Sequence, residues 1–348
     1  MIQDPVQPRR LVVFGATGHL GREVVDRLAD GGWPISELVC VASSESGGLD
    51  LEFRGEPLDV LSEWPRLQGR DLVFVCTPRE VALEVVREAL RAEVPCIDCT
   101  GALVERPEVP MPVRATELEG ERAELERAPL IALASPTTIA WAPLLEALTA
   151  AAGVSRVVAT VLSSASAWGR QGVVALSEES IALFNQAEAP GSGPAGQAVA
   201  FDVIPGGGLD TRRVELELER LFGKSLRLAL SSVQVPTFVG EGAALSIELD
   251  SPLEQKALET LLERLPHVTV VTEGAGSRGL ALVEEEGPEP TGPTLRDSAG
   301  SNEILVGRLR PDPSLPLGQG WLLWISFDPL GLAAEQALRV AGRRLGLS

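Results

Sequence analysis

The sequence predicts an α/β protein: a Rossmann dinucleotide-binding domain joined to an α+β region that precedes a final helix. Three observations predict this. A glycine-rich loop, Gly15-Ala16-Thr17-Gly18-His19-Leu20-Gly21, lies between an apolar run and an amphipathic stretch. Strand and helix signals then alternate to about residue 134, the pattern of a parallel, doubly wound sheet. Beyond that point the turns become richer in proline and glycine, and β-like runs follow the periodicity of a mixed or antiparallel sheet.

The elements follow in order. Residues 10–14 read as a short buried strand, and 19–30 as a helix with Leu20, Val24, Val25 and Leu28 on one face. Gly31-Gly32-Trp33-Pro34 stops that helix. Strands are expected at 37–42, 71–76, 94–99 and 129–134, with a helix over 79–92. In the second region, strands are expected at 155–163, 226–233, 243–249, 268–271, 304–309 and 321–327. Helices are expected at about 139–151, 171–186, 212–222, 253–264 and 333–345. Residues 188–197 and 284–298 read as loops, the first of them mobile.

A chain of 348 residues exceeds what one core normally holds, so two domains are expected. The formal charge of −19 repels phosphate backbones and argues against a nucleic-acid partner. No apolar run suits a membrane helix, and Met1 to Arg10 lacks a signal core, so the reading is a cytoplasmic protein with no membrane partner. Cys96 and Cys99 form a C-x-x-C pattern. The chain has two histidines and no second cysteine pair of that spacing, so no metal is assigned. Both thiols are expected to serve as small buried hydrophobes.

Gly15, Gly18 and Gly21 suit three separate tasks: a tight turn, close approach of a pyrophosphate, and helix-on-strand packing. The helix start then offers N–H groups and a positive dipole end to phosphate. Thr17, Leu20 and His19 belong to this loop; His19 either faces the pyrophosphate or lies exposed at the helix start. Ser43 and Glu45 follow the second strand, where an adenosine ribose would lie. An acid there favours NAD over NADP, although Glu45 is farther from the glycines than the usual spacing of roughly 20 residues. Cys76 and Thr77 end a central strand at the edge where cofactors bind.

Eight segments in fixed order carry a family resemblance: Gly15-Ala-Thr-Gly-His-Leu-Gly, Val41-Ala-Ser-Ser-Glu-Ser, Ile97-Asp-Cys-Thr-Gly-Ala-Leu, Ser135-Pro-Thr-Thr, Ser166-Ala-Trp-Gly-Arg-Gln-Gly, Phe201-Asp-Val-Ile-Pro, Val233-Gln-Val-Pro-Thr-Phe-Val-Gly and Val306-Gly-Arg-Leu-Arg. From about residue 10 to 345 the chain resembles aspartate-semialdehyde dehydrogenase. The resemblance implies a Rossmann NAD(P)-binding domain over 1–134, an inserted α+β catalytic/dimerisation domain over 135–327, and a C-terminal helix, 328–348, returning to the first domain. It also implies a homodimer, cofactor contact at Gly169, and a thioester mechanism.

At the positions that carry the family's chemistry, this chain departs from the pattern. Thr138 stands for the nucleophilic cysteine, Glu241 for the histidine base and Gln234 for the arginine that clamps carboxylate. Ser163 stands for a glutamine and Val104 for a phosphate-binding arginine, while Glu217 keeps a substrate glutamate. A threonine hydroxyl without an activating base is a poor nucleophile. The chain therefore resembles a cysteine-less paralogue that binds NAD or NADP and has lost the phosphorylating reaction. The alternatives are an oxidoreductase acting on another small molecule with Glu241 as base, or residual family activity through Thr138.

Overall fold

The structure, a computed structural model, describes residues 9–44, 51–113, 122–188, 190–193, 196–271 and 292–347. The chain divides into two compact units, Met1–Ile139 with Leu330–Ser348, and Ala140–Pro329.

In the first unit, β1 (Arg9–Phe14), α1 (His19–Asp30) and β2 (Ile35–Val41) follow directly on one another. The short strands β3 (Leu51–Phe53), β4 (Glu56–Leu58) and β5 (Val60–Leu61) come next, then β6 (Asp71–Val75), α2 (Arg79–Arg91), β7 (Cys96–Asp98), α3 (Arg122–Arg127) and β8 (Leu130–Ala132). Six strands form one parallel sheet in the order β5-β2-β1-β6-β7-β8, while β3 and β4 pair as a small hairpin. Every residue of β6 is buried, as expected of a strand covered on both faces. The chain winds outward from β1 to β5, then returns to β6 on the other side of β1. That reversal is the topological switch point, where open α/β sheets bind ligands.

The bounds of α1 coincide with the expected 19–30, because Gly18 and Gly31 punctuate both ends. The expected strand at 94–99 shortens to β7, and Cys99 and Thr100 follow it as a bend, with Cys99 N–H still bonded to the neighbouring strand's Val75. The strands β3 to β5 and the helix α3 were not expected from the sequence; three-residue strands carry too little periodicity to read.

The second unit takes most of α4 (Pro136–Ala152), then β9 (Val154–Ser163), a 3-10 turn over 165–168, α5 (Gly169–Phe184), β10 (Ile204–Pro205) and α6 (Thr211–Phe222). It continues with β11 (Arg227–Gln234), β12 (Glu241–Leu249), α7 (Gln255–Glu263), β13 (Val268–Val271), α8 (Leu295–Ser298), β14 (Ile304–Pro311) and β15 (Gly320–Phe327). Seven strands form a mixed sheet in the order β10-β11-β9-β12-β15-β14-β13. β9 pairs parallel to β11 and antiparallel to β12.

The segment after α5 is more firmly held than its composition suggests. Glu179, fully buried in α5, accepts backbone N–H bonds from Ser192 (2.8 Å), Val199 (2.6 Å) and Ala200 (3.0 Å). The Ser192 bond lies within the loop expected at 188–197, and the other two fix the residues just after it. Most of the other expected loop, 284–298, lies outside the described residues up to 291; within its remainder Leu295–Ser298 form the short helix α8.

The last helix, α9 (Pro329–Leu345), contributes Ala334, Ala337, Leu338, Val340 and Ala341 to the core of the first unit, with Leu11, Val24, Leu28, Phe74 and Ile97. Gln336 is buried there and donates to the Pro112 carbonyl at 2.7 Å. No helix among the described residues is long and apolar enough to cross a membrane.

Candidate cofactor and substrate sites

At the switch point the glycine loop is fixed by its neighbours. Gly15 and Ala16 donate to the Val41 carbonyl at 2.8 and 3.1 Å, and Cys76 donates to Phe14 at 2.8 Å. Gly15 has φ +79°, and a Cβ there would meet the Cys76 carbonyl oxygen at 2.4 Å. A Cβ on Gly21 would stand 2.2 Å from the Gly15 oxygen. Only glycine fits either position, so the first turn of α1 lies directly against the loop.

Gly18 caps α1 and, as a glycine, brings no side-chain cap bond. First-turn N–H groups have no acceptor within a helix, which suits a phosphate placed beside a glycine cap. The cradle fits the pyrophosphate of a dinucleotide. Thr17 and His19 are half-buried here, while Leu20 packs against the core and so offers its backbone rather than its side chain. Cys76 and Thr77 lie at the same switch point, and Ser43 is exposed just beyond β2. Glu45 lies outside the described residues. Gly169 belongs to the second unit, with φ +67° at the join of the 3-10 turn and α5 and open space beside it.

Thr138 sits in the first turn of α4 and is fully buried. Its hydroxyl oxygen accepts from Ser135 Oγ at 3.0 Å, and its N–H donates to the same Ser135 Oγ at 3.3 Å. The pair therefore serves as a helix-start cap. Val104 is buried beyond a turn that Asp98 organises. The Asp98 carboxylate accepts from the Thr100 and Leu103 N–H groups and from the Thr100 hydroxyl, at 2.9, 2.8 and 2.6 Å.

In the second unit, three predicted positions far apart in sequence become neighbours. Ser163 ends β9, opposite Gln234 on β11 and opposite Glu241 on β12. Their exposures of 0, 1 and 5% put all three out of water. Gln234 donates from Nε2 to the Val235 carbonyl at 3.2 Å, while its Oε1 and the Ser163 hydroxyl have no hydrogen-bond partner among the described residues.

The glycine segment 206–208 is seated on this pair. A Cβ on Gly208, φ +80°, would lie 2.5 Å from Gln234 Oε1 and 2.6 Å from Ser163 Cβ. A Cβ on Gly207 would lie 2.8 Å from Gln234 Cβ and 3.3 Å from the Trp168 ring. Trp168 also packs against the small core of Ala165, Leu176 and Val199. Backbone and indole thus cover the Gln234 side chain.

Glu217, buried on α6, receives Arg213 Nε at 2.7 Å, and Asp328 accepts the Gly300 N–H at 2.7 Å. Among the described residues, no three or more His, Cys, Asp or Glu side chains gather as a metal site would.

Among the buried acids that escaped the sequence reading are Asp98 and Glu179. The first carries a readable signal, an Asp followed by Thr-Gly at a strand end, which favours a side-chain-capped turn. Glu179 has none, because its acceptor role depends on amides some twenty residues downstream.

A doubly wound sheet with a glycine cradle at its switch point, joined to a mixed-sheet unit, defines a two-unit dinucleotide-binding α/β protein. Comparison with known proteins narrows this class. Residues 10–125 match the semialdehyde dehydrogenase NAD binding domain, and residues 145–330 match the semialdehyde dehydrogenase dimerisation domain. The chain belongs to the semialdehyde dehydrogenase family. Aspartate-semialdehyde dehydrogenases from Synechocystis and Legionella pneumophila are 26% and 27% identical to it, over 96% and 95% of this chain and 96% and 94% of theirs. Aspartate semialdehyde dehydrogenase II from Vibrio cholerae, solved in complex with ASA, superposes with a TM-score of 0.82 at 25% identity, covering 97% of this chain and 98% of that one. The Candida albicans enzyme, solved with NADP, shares the fold at a TM-score of 0.68 and 15% identity, covering 98% of this chain and 100% of that one.

Proposed function

We propose that this chain is an NAD(P)-binding homologue of aspartate-semialdehyde dehydrogenase that no longer carries out the phosphorylating dehydrogenase reaction. The observation that carries the reading is the pair of altered sites. Thr138 offers a buried hydroxyl engaged with Ser135 where the mechanism needs a thiolate. Gln234, uncharged and covered by Gly207 and Gly208, stands where an arginine would pair with a carboxylate. Loss of a covalent nucleophile alone lowers turnover by several orders of magnitude.

The cofactor half of the reading rests on Gly15, Thr17, Gly18, His19, Leu20, Ser43, Cys76 and Thr77 in the first unit and on Gly169 in the second. NAD is preferred over NADP in this reading, on Glu45. A cytoplasmic location fits four free thiols. A homodimer fits an exposed apolar patch on the second unit: Phe184 and Phe201 stack edge to face with centroids 5.6 Å apart, beside exposed Ile181 and Val203.

Calorimetric titration with NAD and NADP tests the cofactor half; saturable heat for both, with NAD tighter, is expected. Intact-protein mass spectrometry tests the chemical half. The protein is mixed with aspartate semialdehyde and cofactor in the absence of phosphate. An unchanged mass is expected, and an acyl adduct on Thr138 would overturn the proposal.

A further inference from the structure

We infer that Cys76 and Cys99 form an oxidisable dithiol at the base of the glycine loop, closing to a disulfide that weakens dinucleotide binding. The inference on binding rests on the glycine loop being the cofactor site.

Sequence spacing pairs Cys99 with Cys96, but the ends of β6 and β7 bring it alongside Cys76. β6 and β7 run parallel with Val73 opposite Cys96, Phe74 opposite Ile97 and Val75 opposite Asp98. The next residues on the two strands are Cys76 and Cys99, and Cys99 N–H still donates to the Val75 carbonyl at 3.0 Å. Adjacent strands lie roughly 4.8 Å apart, within the Cα separation of about 4.4–6.8 Å that a disulfide spans. Both side chains lean on the same face of the core as Phe74 and Ile97, and the Cys99 thiol donates to the Ile97 carbonyl at 3.8 Å.

Access separates this pair from the other two cysteines. Cys76 and Cys99 are half-buried, whereas Cys40 and Cys96 are buried. Burial pushes the Cys40 thiol up to about 12 and raises Cys96 too, which keeps both protonated and inert. Cys99 is also raised, chiefly by Cys76 beside it and then by burial; Cys76, which the backbone ties to the glycine loop, is taken as the attacking sulfur.

With a peroxide as oxidant the step balances. The Cys76 thiolate attacks one peroxide oxygen, the O–O bond breaks, and Cys76 becomes a sulfenic acid as the other oxygen leaves as water. The Cys99 sulfur then attacks the Cys76 sulfur, the S–O bond breaks, and a second water leaves with the Cys99 proton. Two thiols lose two electrons in all. The consequence reaches the cofactor loop through the backbone: a Cβ at Gly15 would meet the Cys76 carbonyl at 2.4 Å and the Thr77 nitrogen at 3.0 Å, so that peptide cannot move without moving the loop.

The test treats the full chain with hydrogen peroxide, maps tryptic peptides, and titrates the reduced and oxidised forms with NAD and NADP. A disulfide joining peptide 71–79 to peptide 92–114 is expected. It should persist in Cys96→Ser and vanish in Cys99→Ser. Cofactor affinity should fall about 5-fold or more on oxidation and recover with a dithiol reductant. No crosslink, or a crosslink that survives Cys99→Ser, overturns the inference. A crosslink with unchanged affinity overturns its link to the loop. Reduced protein that binds neither dinucleotide contradicts the cofactor reading instead, and the peptide map then still decides the dithiol.

Discussion

Gly208 shows how much of the second site rests on one missing methyl group. Its φ of +80° and the 2.5 Å approach to Gln234 Oε1 both forbid a side chain. Gly208→Ala should destabilise the protein by about 1–3 kcal/mol from backbone strain alone, measured by urea unfolding; no change would mean the segment does not sit on Gln234. Glu179 makes a second residue-scale prediction. Glu179→Ala leaves three amides without an acceptor, and an unsatisfied buried donor costs about 1–3 kcal/mol. Glu179→Gln, which keeps an acceptor oxygen, should lose less. At this scale the sequence placed Ser163, Gln234 and Glu241 in a candidate site by motif. Their adjacency came only from strand register, since it requires β9 to lie between β11 and β12. The Cys76–Cys99 neighbourhood was hidden for the same reason: C-x-x-C spacing draws the eye along the strand, while the ends of β6 and β7 meet across it.

Among the elements, those with glycine punctuation or long periodic runs were readable. The bounds of α1, α2, β9 and β12 fall within two residues of expectation, because each buries one regular face or lies deep in a sheet. Short elements held by tertiary contacts were not. The turn joining β14 to β15 is an instance: Asp312 accepts from the Ser314 hydroxyl (2.7 Å) and N–H (2.9 Å), and from Ser246 on β12 at 2.8 Å. Those bonds, the Ser314 hydroxyl's first, hold the Asp312 carboxyl below the ordinary carboxylate range. A depressed acid stabilises the fold above its unfolded pKa and loses that contribution as pH falls through its lower folded value. Asp312→Asn should therefore lose part of that contribution at neutral pH, reduced by solvent screening of this exposed turn, and flatten the stability curve below about pH 4. Parallel acid dependence of the two proteins would contradict it.

For the whole molecule, the family's two domains map onto residues 10–125 and 145–330, and each compact unit has its own sheet. In the proposed homodimer, the exposed Phe184–Phe201 pair faces the second copy of the chain. Phe184→Glu should shift the mass measured by light scattering toward the monomer while leaving the circular dichroism spectrum unchanged; a wild-type mass in this variant would move the interface elsewhere. The balance between a kept cofactor cradle and an altered reaction site is the account's central claim. It is tested most directly by following cofactor absorbance with aspartate semialdehyde, inorganic phosphate and saturating NAD or NADP. The account predicts no phosphate-dependent cofactor reduction above the protein-free control. Reduction that scales with both protein and phosphate would contradict it.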